Sequence, residues 1–238
     1  MKRVQIILFC IIITFVSNIQ AQDNDSLKLN VSADICSRYV WRGLDYGSSP
    51  SIQPTLSLIK KSFEIGYWGA ISTLGNYCET DLYLKYTLKK FSLTVTDYFF
   101  PVNIIPANKT ERYFNYEDKT TGHIFEGLLS WKGPDKFPLY VFAGTVLYGA
   151  DKDTSGNNRY STYAEAGYSF KVKNNGLDVF FGFTPYEGLY GNGIGVVNIG
   201  VSGSKKIKIT ENFELPVKAT LVVNPQTENI HLVFGITL

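Results

Sequence analysis

Two arginines and two aromatic residues alternate in a short segment near the N-terminal end of the chain. The segment reads SRYVWRG at positions 37–43, where Tyr39 and Trp41 lie between Arg38 and Arg42. If the segment is extended, successive side chains point to opposite faces, so the arginines share one face and the aromatic residues share the other. Two guanidinium groups on one face can set the charge of an opening, or they can form salt bridges with carboxylates and fill space.

Residues that commonly perform catalysis are sparse in this sequence. It contains two histidines, His123 and His231, and no serine and acid mark a hydrolytic site beside either one. A protease site built from loop carboxylates and a histidine stays open, although no motif favours it. Histidine and cysteine do not cluster as metal ligands do, and the glycines lack the strand-to-helix context of phosphate-binding loops. We therefore expect no enzyme activity, no metal and no cofactor.

The overall composition excludes one class of partner and limits the role of disulfides. The 23 basic and 21 acidic side chains are nearly balanced, which argues against a nucleic-acid-binding protein. Tyrosine and phenylalanine contribute 16 residues each, so the chain is rich in aromatic residues. Beyond the N-terminal segment only Cys36 and Cys78 remain. A single disulfide between them and a pair of free thiols are both compatible with export.

The first 21 residues have the layout of a secretory signal peptide. Lys2 and Arg3 precede an apolar run over 4–16, and Ala21 is a small residue at the expected cleavage point. The apolar run is short for a membrane-spanning helix, so a retained anchor is the less favoured alternative. We expect residues 1–21 to be a signal peptide and residues 22–238 to form the exported domain.

The rest of the chain repeats one pattern, in which about ten alternating apolar and polar residues are followed by turn residues. In LKLNVSADI, residues 27–35, every second side chain is apolar, which is typical of a strand with two different faces. Pro54 and Pro216 fall inside two of the predicted strands, where we expect a bulge or irregular pairing at each. The pattern predicts twelve strands, at about 27–39, 50–60, 62–73, 79–89, 91–100, 123–132, 137–148, 159–171, 177–186, 194–204, 213–223 and 228–238.

The lengths of the connections distinguish two all-β architectures. Short links such as KKS at 60–62 and KKF at 89–91 alternate with long polar links such as the stretch from 101 to 122. This alternation is typical of a transmembrane, antiparallel, up-and-down β-barrel, and a soluble β-sandwich has no reason to show it. We therefore predict a barrel of about 12 strands in the bacterial outer membrane, in contact with outer-membrane lipids. The chain ends on the alternating strand NIHLVFGITL, which resembles the signal read by the barrel-assembly machinery.

Continuing the alternation of each strand assigns side chains to the two faces of this barrel. Tyr39 and Trp41 then face outward, where they would form part of an aromatic girdle at the membrane surface. Charged side chains fall on the inward face, as expected from the cost of a charge facing lipid. The residues predicted to line a pore are Arg38, Arg42, Asp81, Lys85, Glu126, Glu165 and Lys218. Mixed charges at these spacings could equally close the barrel with salt bridges.

Several of these segments resemble the TorF-type family of bacterial outer-membrane porins. The resemblance is carried by SRYVWRGLDYG, SIQPTLSL, FEIGYWGAIS and CETDLYLKYTL, and more loosely by YAEAGYSF at 163–170. The positions that match the family pattern are Ser37, Tyr39, Arg42, Gly43, Gly66, Trp68, Glu79 and Asp81. The resemblance implies an outer-membrane barrel with the activity of a porin.

Two classes of function follow from these observations. The first is a narrow porin or channel for small solutes, with Arg38 and Arg42 at its mouth. The second is a closed structural barrel that presents loops to a partner, in which case the charged and aromatic stretch TERYFNYEDKT, residues 110–120, is the candidate contact. The same stretch could instead fold inward as a constriction. A barrel of twelve strands is intermediate in size between small filled barrels and wide aqueous porins, so its size does not distinguish the two classes of function.

Overall fold

The computed structural model describes residues 26–101 and 112–238, so the predicted signal peptide lies outside the described residues. The described chain forms fourteen β-strands. Among these residues no helix has the length and apolar character needed to cross a bilayer. The strands are β1 Lys28–Cys36, β2 Tyr39–Trp41, β3 Leu44–Tyr46, β4 Ser51–Lys60, β5 Phe63–Ser72, β6 Cys78–Leu88, β7 Phe91–Phe99, β8 His123–Lys132, β9 Leu139–Gly149, β10 Thr162–Val172, β11 Asn175–Thr184, β12 Gly195–Lys208, β13 Glu214–Asn224 and β14 Asn229–Thr237.

Twelve of these strands close into one antiparallel barrel, as the sequence predicted. From β4 to β14 each strand pairs with its neighbours in the sequence, and β1 closes the barrel by pairing with both β4 and β14. The remaining two strands, β2 and β3, form a separate two-stranded sheet. The β1–β14 seam is short, because its register covers only Asp34 to Cys36 of β1. The whole of β1 pairs with β4.

The two faces of the barrel differ in chemistry as the alternation of the strands predicts. Large apolar side chains are exposed on the outer face, for example Leu29 and Val31 of β1 and Leu82 and Leu84 of β6. The inner face carries buried polar side chains. Those of the barrel strands include Ser51, Gln53, Ser57, Glu79, Asp81, Glu126, Thr184, Asn198, Ser202 and Asn224. The outside of the barrel is therefore apolar and its inside is polar.

The links between barrel strands divide the molecule into two ends. One end carries the links 61–62, 89–90, 133–138, 173–174 and 209–213, and we call it the short-turn end. The other carries the longer links 37–50, 100–122, 150–161 and 185–194, together with 73–77 and 225–228, and we call it the long-loop end.

Neither of the two prolines inside strands produces a bulge, but Pro54 shows the irregular pairing that was the other expectation. Pro54 pairs with Ala33, and Pro216 pairs with Lys206, in ladders of unbroken register. On the other side of β4, the β4–β5 ladder has pairs at Ile52 and Thr55 but none at Pro54. The register shifts lie elsewhere, between Phe125 and Glu126 and between Gly182 and Phe183. The expectation of a bulge was wrong because a proline forfeits only its own amide donor, and the flanking residues keep the strands aligned.

Candidate functional site

The first long link folds into the barrel as the β2–β3 hairpin. The chain leaves the wall after Cys36, three residues earlier than the predicted end of the strand. Trp41 pairs with Leu44, so the hairpin turns on the two residues Arg42 and Gly43, which have φ angles of 51° and 81°. Two successive positive φ values are the signature of a type I′ turn, whose twist suits a tight hairpin.

The tip of the hairpin contacts the wall of the barrel at close range. A Cβ atom on Gly43 would lie 1.9 Å from the carbonyl oxygen of Val197 in β12, so only glycine fits this contact. The side-chain amide of Asn224, in β13, donates a hydrogen bond of 3.1 Å to the Gly43 carbonyl. Glycine is therefore required at this position both by its positive φ and by the space available.

Arg42 connects the hairpin to another part of the wall through a buried ion pair. Its two terminal nitrogens donate hydrogen bonds of 2.6 and 2.8 Å to the two carboxylate oxygens of Glu126 in β8. The hydroxyls of Tyr98 and Tyr190 also donate to Glu126, at 2.9 Å each. Glu126 is 1% exposed, so this paired charge is held inside the barrel.

The aromatic residues of the hairpin point into the barrel rather than outward. Tyr39 is 7% exposed and its ring lies 5.4 Å from that of Trp68 in β5. The ring of Trp41 lies 5.5 Å from Tyr98 and 5.7 Å from Tyr190, and the Arg42 guanidinium carbon is 4.3 Å from its centre. The predicted place of Tyr39 and Trp41 in an outward-facing aromatic girdle is therefore wrong. The alternation does not continue past Cys36, because the chain turns into the barrel there.

The hairpin leaves three cavities around itself. A cavity of about 280 Å³ lies at the long-loop end, between Trp41, Tyr98 and Tyr190 and the link that carries Lys152 and Arg159. A second cavity, of about 500 Å³, lies between the hairpin and β4–β7. Trp41 and Tyr98 line both of these cavities, so their ring contact forms the partition between them.

The third cavity, of about 680 Å³, lies on the opposite side of the hairpin. It is lined by the hairpin residues Arg38, Val40 and Arg42 and by polar side chains of β10–β13. The hairpin therefore divides the interior into one compartment with many aromatic side chains and one with mixed charges.

All seven of the predicted pore-lining residues lie on the inner side of the barrel wall or on the hairpin inside it. Arg38, Arg42, Glu165 and Lys218 border the 680 Å³ cavity, and Asp81 borders the 500 Å³ cavity. Lys85 lies 3.3 Å from Glu64, across the β5–β6 ladder. Glu126 is taken up by its contacts with Arg42 and the two tyrosines. That any of these residues lines a conducting pore stays a prediction.

Arg38 and Arg42 differ in their surroundings, although the sequence predicts the same position at the mouth of the barrel for both. Arg38 pairs with Asp45 of the same hairpin at 2.5 Å, and 38% of its side chain is exposed. Arg42 crosses the interior to a residue of the wall and has 5% of its side chain exposed. Arg42 is thus the residue that fixes the position of the hairpin.

An acid lies beside His123, contrary to the expectation from the sequence. Nδ1 of His123 is 2.7 Å from the carboxylate of Asp97, and Nε2 contacts the backbone carbonyl of Tyr113. By the alternation of β7 and β8 this pair lies on the outer face, where the ring of Tyr116 stacks on His123 at 4.3 Å. Both ring nitrogens are therefore engaged with acceptors, and neither is positioned to activate a hydroxyl nucleophile.

The described residues contain no group of three or more His, Cys, Asp or Glu side chains arranged to hold a metal ion. Cys36 in β1 and Cys78 in β6 are both free thiols. The sequence allowed either a disulfide between them or two free thiols, and the structure has the free thiols.

Comparisons with known proteins give similarities of structure but none of sequence. No protein-family model matches the sequence, and no curated protein matches it. The chain is similar to the crystal structure of the COG4313 outer membrane channel from Pseudomonas putida F1, with 14% sequence identity and a TM-score of 0.45. The alignment covers 92% of this chain and 98% of that chain. None of these comparisons supplies the TorF-type name, which stays a resemblance of sequence.

Proposed function

We propose that this protein is a transmembrane barrel of the bacterial outer membrane. The support is the outer face, where large apolar side chains recur on every second residue of the strands. In water an apolar surface that surrounds the whole barrel would drive aggregation, whereas a lipid bilayer solvates it. Outer-membrane barrels have short turns on the periplasmic side and long loops on the outside, so the short-turn end of this barrel faces the periplasm and the long-loop end faces the exterior. The predicted signal peptide and the TorF-type resemblance agree with this location.

Within that membrane we infer that the barrel acts as a narrow channel for small solutes, with the β2–β3 hairpin as its constriction. The observation that carries this proposal is the pair of cavities on either side of the Trp41–Tyr98 contact. One is at the long-loop end and the other extends along the inside of β4–β7. A shift of either ring would join the two spaces into one path along the wall.

The Arg42–Glu126 pair adjoins the partition, because the Arg42 guanidinium carbon lies 4.3 Å from the centre of the Trp41 ring and the Tyr98 hydroxyl donates a hydrogen bond to Glu126. It anchors the tip of the hairpin to β8, while the tip also contacts β12 and β13. Because the tip is fixed at these points, a small movement of the Trp41 side chain can open the path without withdrawal of the hairpin. The constriction is thus formed by the side chains of Trp41 and Tyr98, which are carried by a fixed hairpin and by the barrel wall.

The decisive experiment is conductance of the refolded protein in planar lipid bilayers. A heat-dependent shift in gel mobility first confirms that the barrel has formed, and protein that lacks the shift serves as the control. Reproducible single-channel steps from the shifted material support the channel. A shifted barrel that inserts but remains silent at both polarities overturns it, and favours the closed barrel that presents its loops to a partner.

We also propose that the barrel-assembly machinery recognises β14 during biogenesis. Ile230, Leu232 and Phe234 of this strand are exposed on the outer face, while His231 and Val233 point inward. Replacing Phe234 with serine should slow assembly in cells, measured as the heat-shifted fraction over time. Replacing Val233 with serine leaves the outer row intact and is the matched control.

A further inference from the structure

Lysine side chains surround the short-turn end of the barrel. Each of the five short links has at least two lysines, either within it or within four residues of it in the flanking strands, and β1 begins with another. All of them are exposed. These rim lysines are Lys28, Lys60, Lys61, Lys89, Lys90, Lys132, Lys136, Lys171, Lys173, Lys205, Lys206 and Lys208.

Acidic side chains do not balance this charge at the same end. Of the described residues, the exposed carboxylates there are Asp135, Glu211 and Glu214, and Glu214 approaches Lys206 at 3.9 Å. The long-loop end has exposed carboxylates of its own, such as Glu187 and Glu228. The near-neutral charge of the whole chain therefore conceals a strongly basic rim at one end.

Large aromatic side chains accompany the rim lysines. Phe63 and Tyr86 are exposed, with ring centres 4.8 Å apart, and Phe91 is exposed one strand further on. Trp131 of β8 pairs with Phe91 and directly precedes Lys132. On the next hairpins Phe137 and Phe170 are exposed as well. Aromatic rings followed by cationic side chains are typical of the level at which a membrane protein passes from hydrocarbon into the headgroup layer.

We propose that the rim lysines bind the headgroups of anionic phospholipids in the leaflet at the short-turn end. This inference rests on the proposed insertion into a membrane. Lysine side chains extend along an apolar surface and place their ammonium groups among headgroup phosphates, and anionic lipids attract such groups more strongly than zwitterionic lipids do. The distribution favours lipid over an acidic protein, because lysines lie in or near every short link around the perimeter, and a headgroup layer is the partner that contacts the full perimeter.

Trp131 is a natural reporter for this contact. It lies at the short-turn end on the outer face, whereas Trp41 and Trp68 are inside the barrel. Lipids with brominated acyl chains quench tryptophan fluorescence only on contact, so quenching of Trp131 measures which lipid occupies the adjoining site. Refolded protein is placed in vesicles that contain either brominated phosphatidylcholine or brominated phosphatidylglycerol. In the variant Trp131→Phe the quenchable part of the fluorescence should disappear, which confirms that Trp131 is its source.

We expect brominated phosphatidylglycerol to be preferred over brominated phosphatidylcholine at Trp131 by a factor of about three at low salt. At high salt this ratio should fall towards one, because salt screens the charges. The triple variant Lys89→Gln, Lys90→Gln and Lys132→Gln, which removes the nearest rim charges, should abolish this preference. The matched control, Lys171→Gln, Lys205→Gln and Lys206→Gln, removes as much charge from other hairpins and should preserve most of it. The variant Asp135→Asn should increase the preference.

Failure of this inference is distinguishable from failure of the proposed membrane location. Equal quenching by the two lipids overturns lipid recognition, leaves insertion intact, and directs the rim to an acidic periplasmic protein or polymer. A preference that persists in the first triple variant also overturns the role of the lysines. Absence of quenching by either lipid would instead overturn the insertion itself.

Discussion

Arg42 and Glu126 are separated by 84 residues in the sequence, and they meet inside the barrel through two parallel hydrogen bonds. Arg42 belongs to the turn of the inward hairpin and Glu126 belongs to the wall. Their bidentate geometry is the strongest form of ion pair between these residue types, and the burial of both side chains shields it from solvent. The pair therefore couples the position of the hairpin to the structure of β8.

Replacing Glu126 with glutamine should destabilise the folded barrel substantially. The change leaves the Arg42 guanidinium buried without its counter-charge, and removal of one partner of a buried ion pair typically costs about 3–5 kcal/mol. Urea unfolding in lipid vesicles, followed by tryptophan fluorescence, measures the loss. The matched control is Arg38→Gln, which breaks a pair that is partly exposed and worth about 0–1 kcal/mol. Equal losses in the two variants would contradict the anchoring role of Arg42.

Gly43→Ala should displace the tip of the hairpin. The added methyl group meets the Val197 carbonyl oxygen at 1.9 Å, and the backbone φ of 81° is also unfavourable for alanine. We expect faster amide hydrogen exchange in the hairpin and a higher conductance.

Gly156→Ala is the control for the backbone effect alone. Gly156 has a similar φ of 86°, but a Cβ atom there meets nothing within 4 Å. It should therefore show the conformational penalty without the displacement. If both variants leave hydrogen exchange in the hairpin unchanged, the contact with Val197 does not hold the tip in place.

The barrel was predictable from the sequence because its signal is local and repeated. Each strand shows its own alternation, and neighbouring strands pair in sequence order, so counting segments gave twelve barrel strands. The alternation also placed Asp81, Glu126 and Lys218 on the inner side. These assignments need only the period of a strand and the cost of exposing a charge to lipid.

The hairpin was not predictable by the same rule, because it breaks the alternation. Ser37 falls where an outward apolar residue is expected, and its hydroxyl accepts a hydrogen bond from the Phe234 amide as the chain leaves the wall. The glycines at 43 and 47 were a further signal, since both adopt positive φ. The Arg42–Glu126 and Asp97–His123 pairs join distant segments, and no local pattern in a single sequence identifies such partners.

Trp41→Ala should raise single-channel conductance while the barrel remains fully inserted. The change removes one side of the partition between the 280 and 500 Å³ cavities. Conductance and heat-shifted gel mobility are measured on the same preparation. Trp131→Ala, on the outer face, is the control that should leave conductance unchanged. Loss of insertion with Trp41→Ala, without a change in conductance, would restore the girdle role that the structure contradicts.

His123→Phe should release segment 112–121 from the outside of the barrel. The phenylalanine ring preserves the stacking with Tyr116, but it removes the hydrogen bonds to Asp97 and to the Tyr113 carbonyl. We expect faster cleavage by trypsin after Arg112 and Lys119, measured by mass spectrometry of timed digests. The control is His231→Phe, since His231 points into the barrel on β14, away from this segment. An unchanged rate of cleavage in His123→Phe would mean that ring packing alone holds the segment on the barrel.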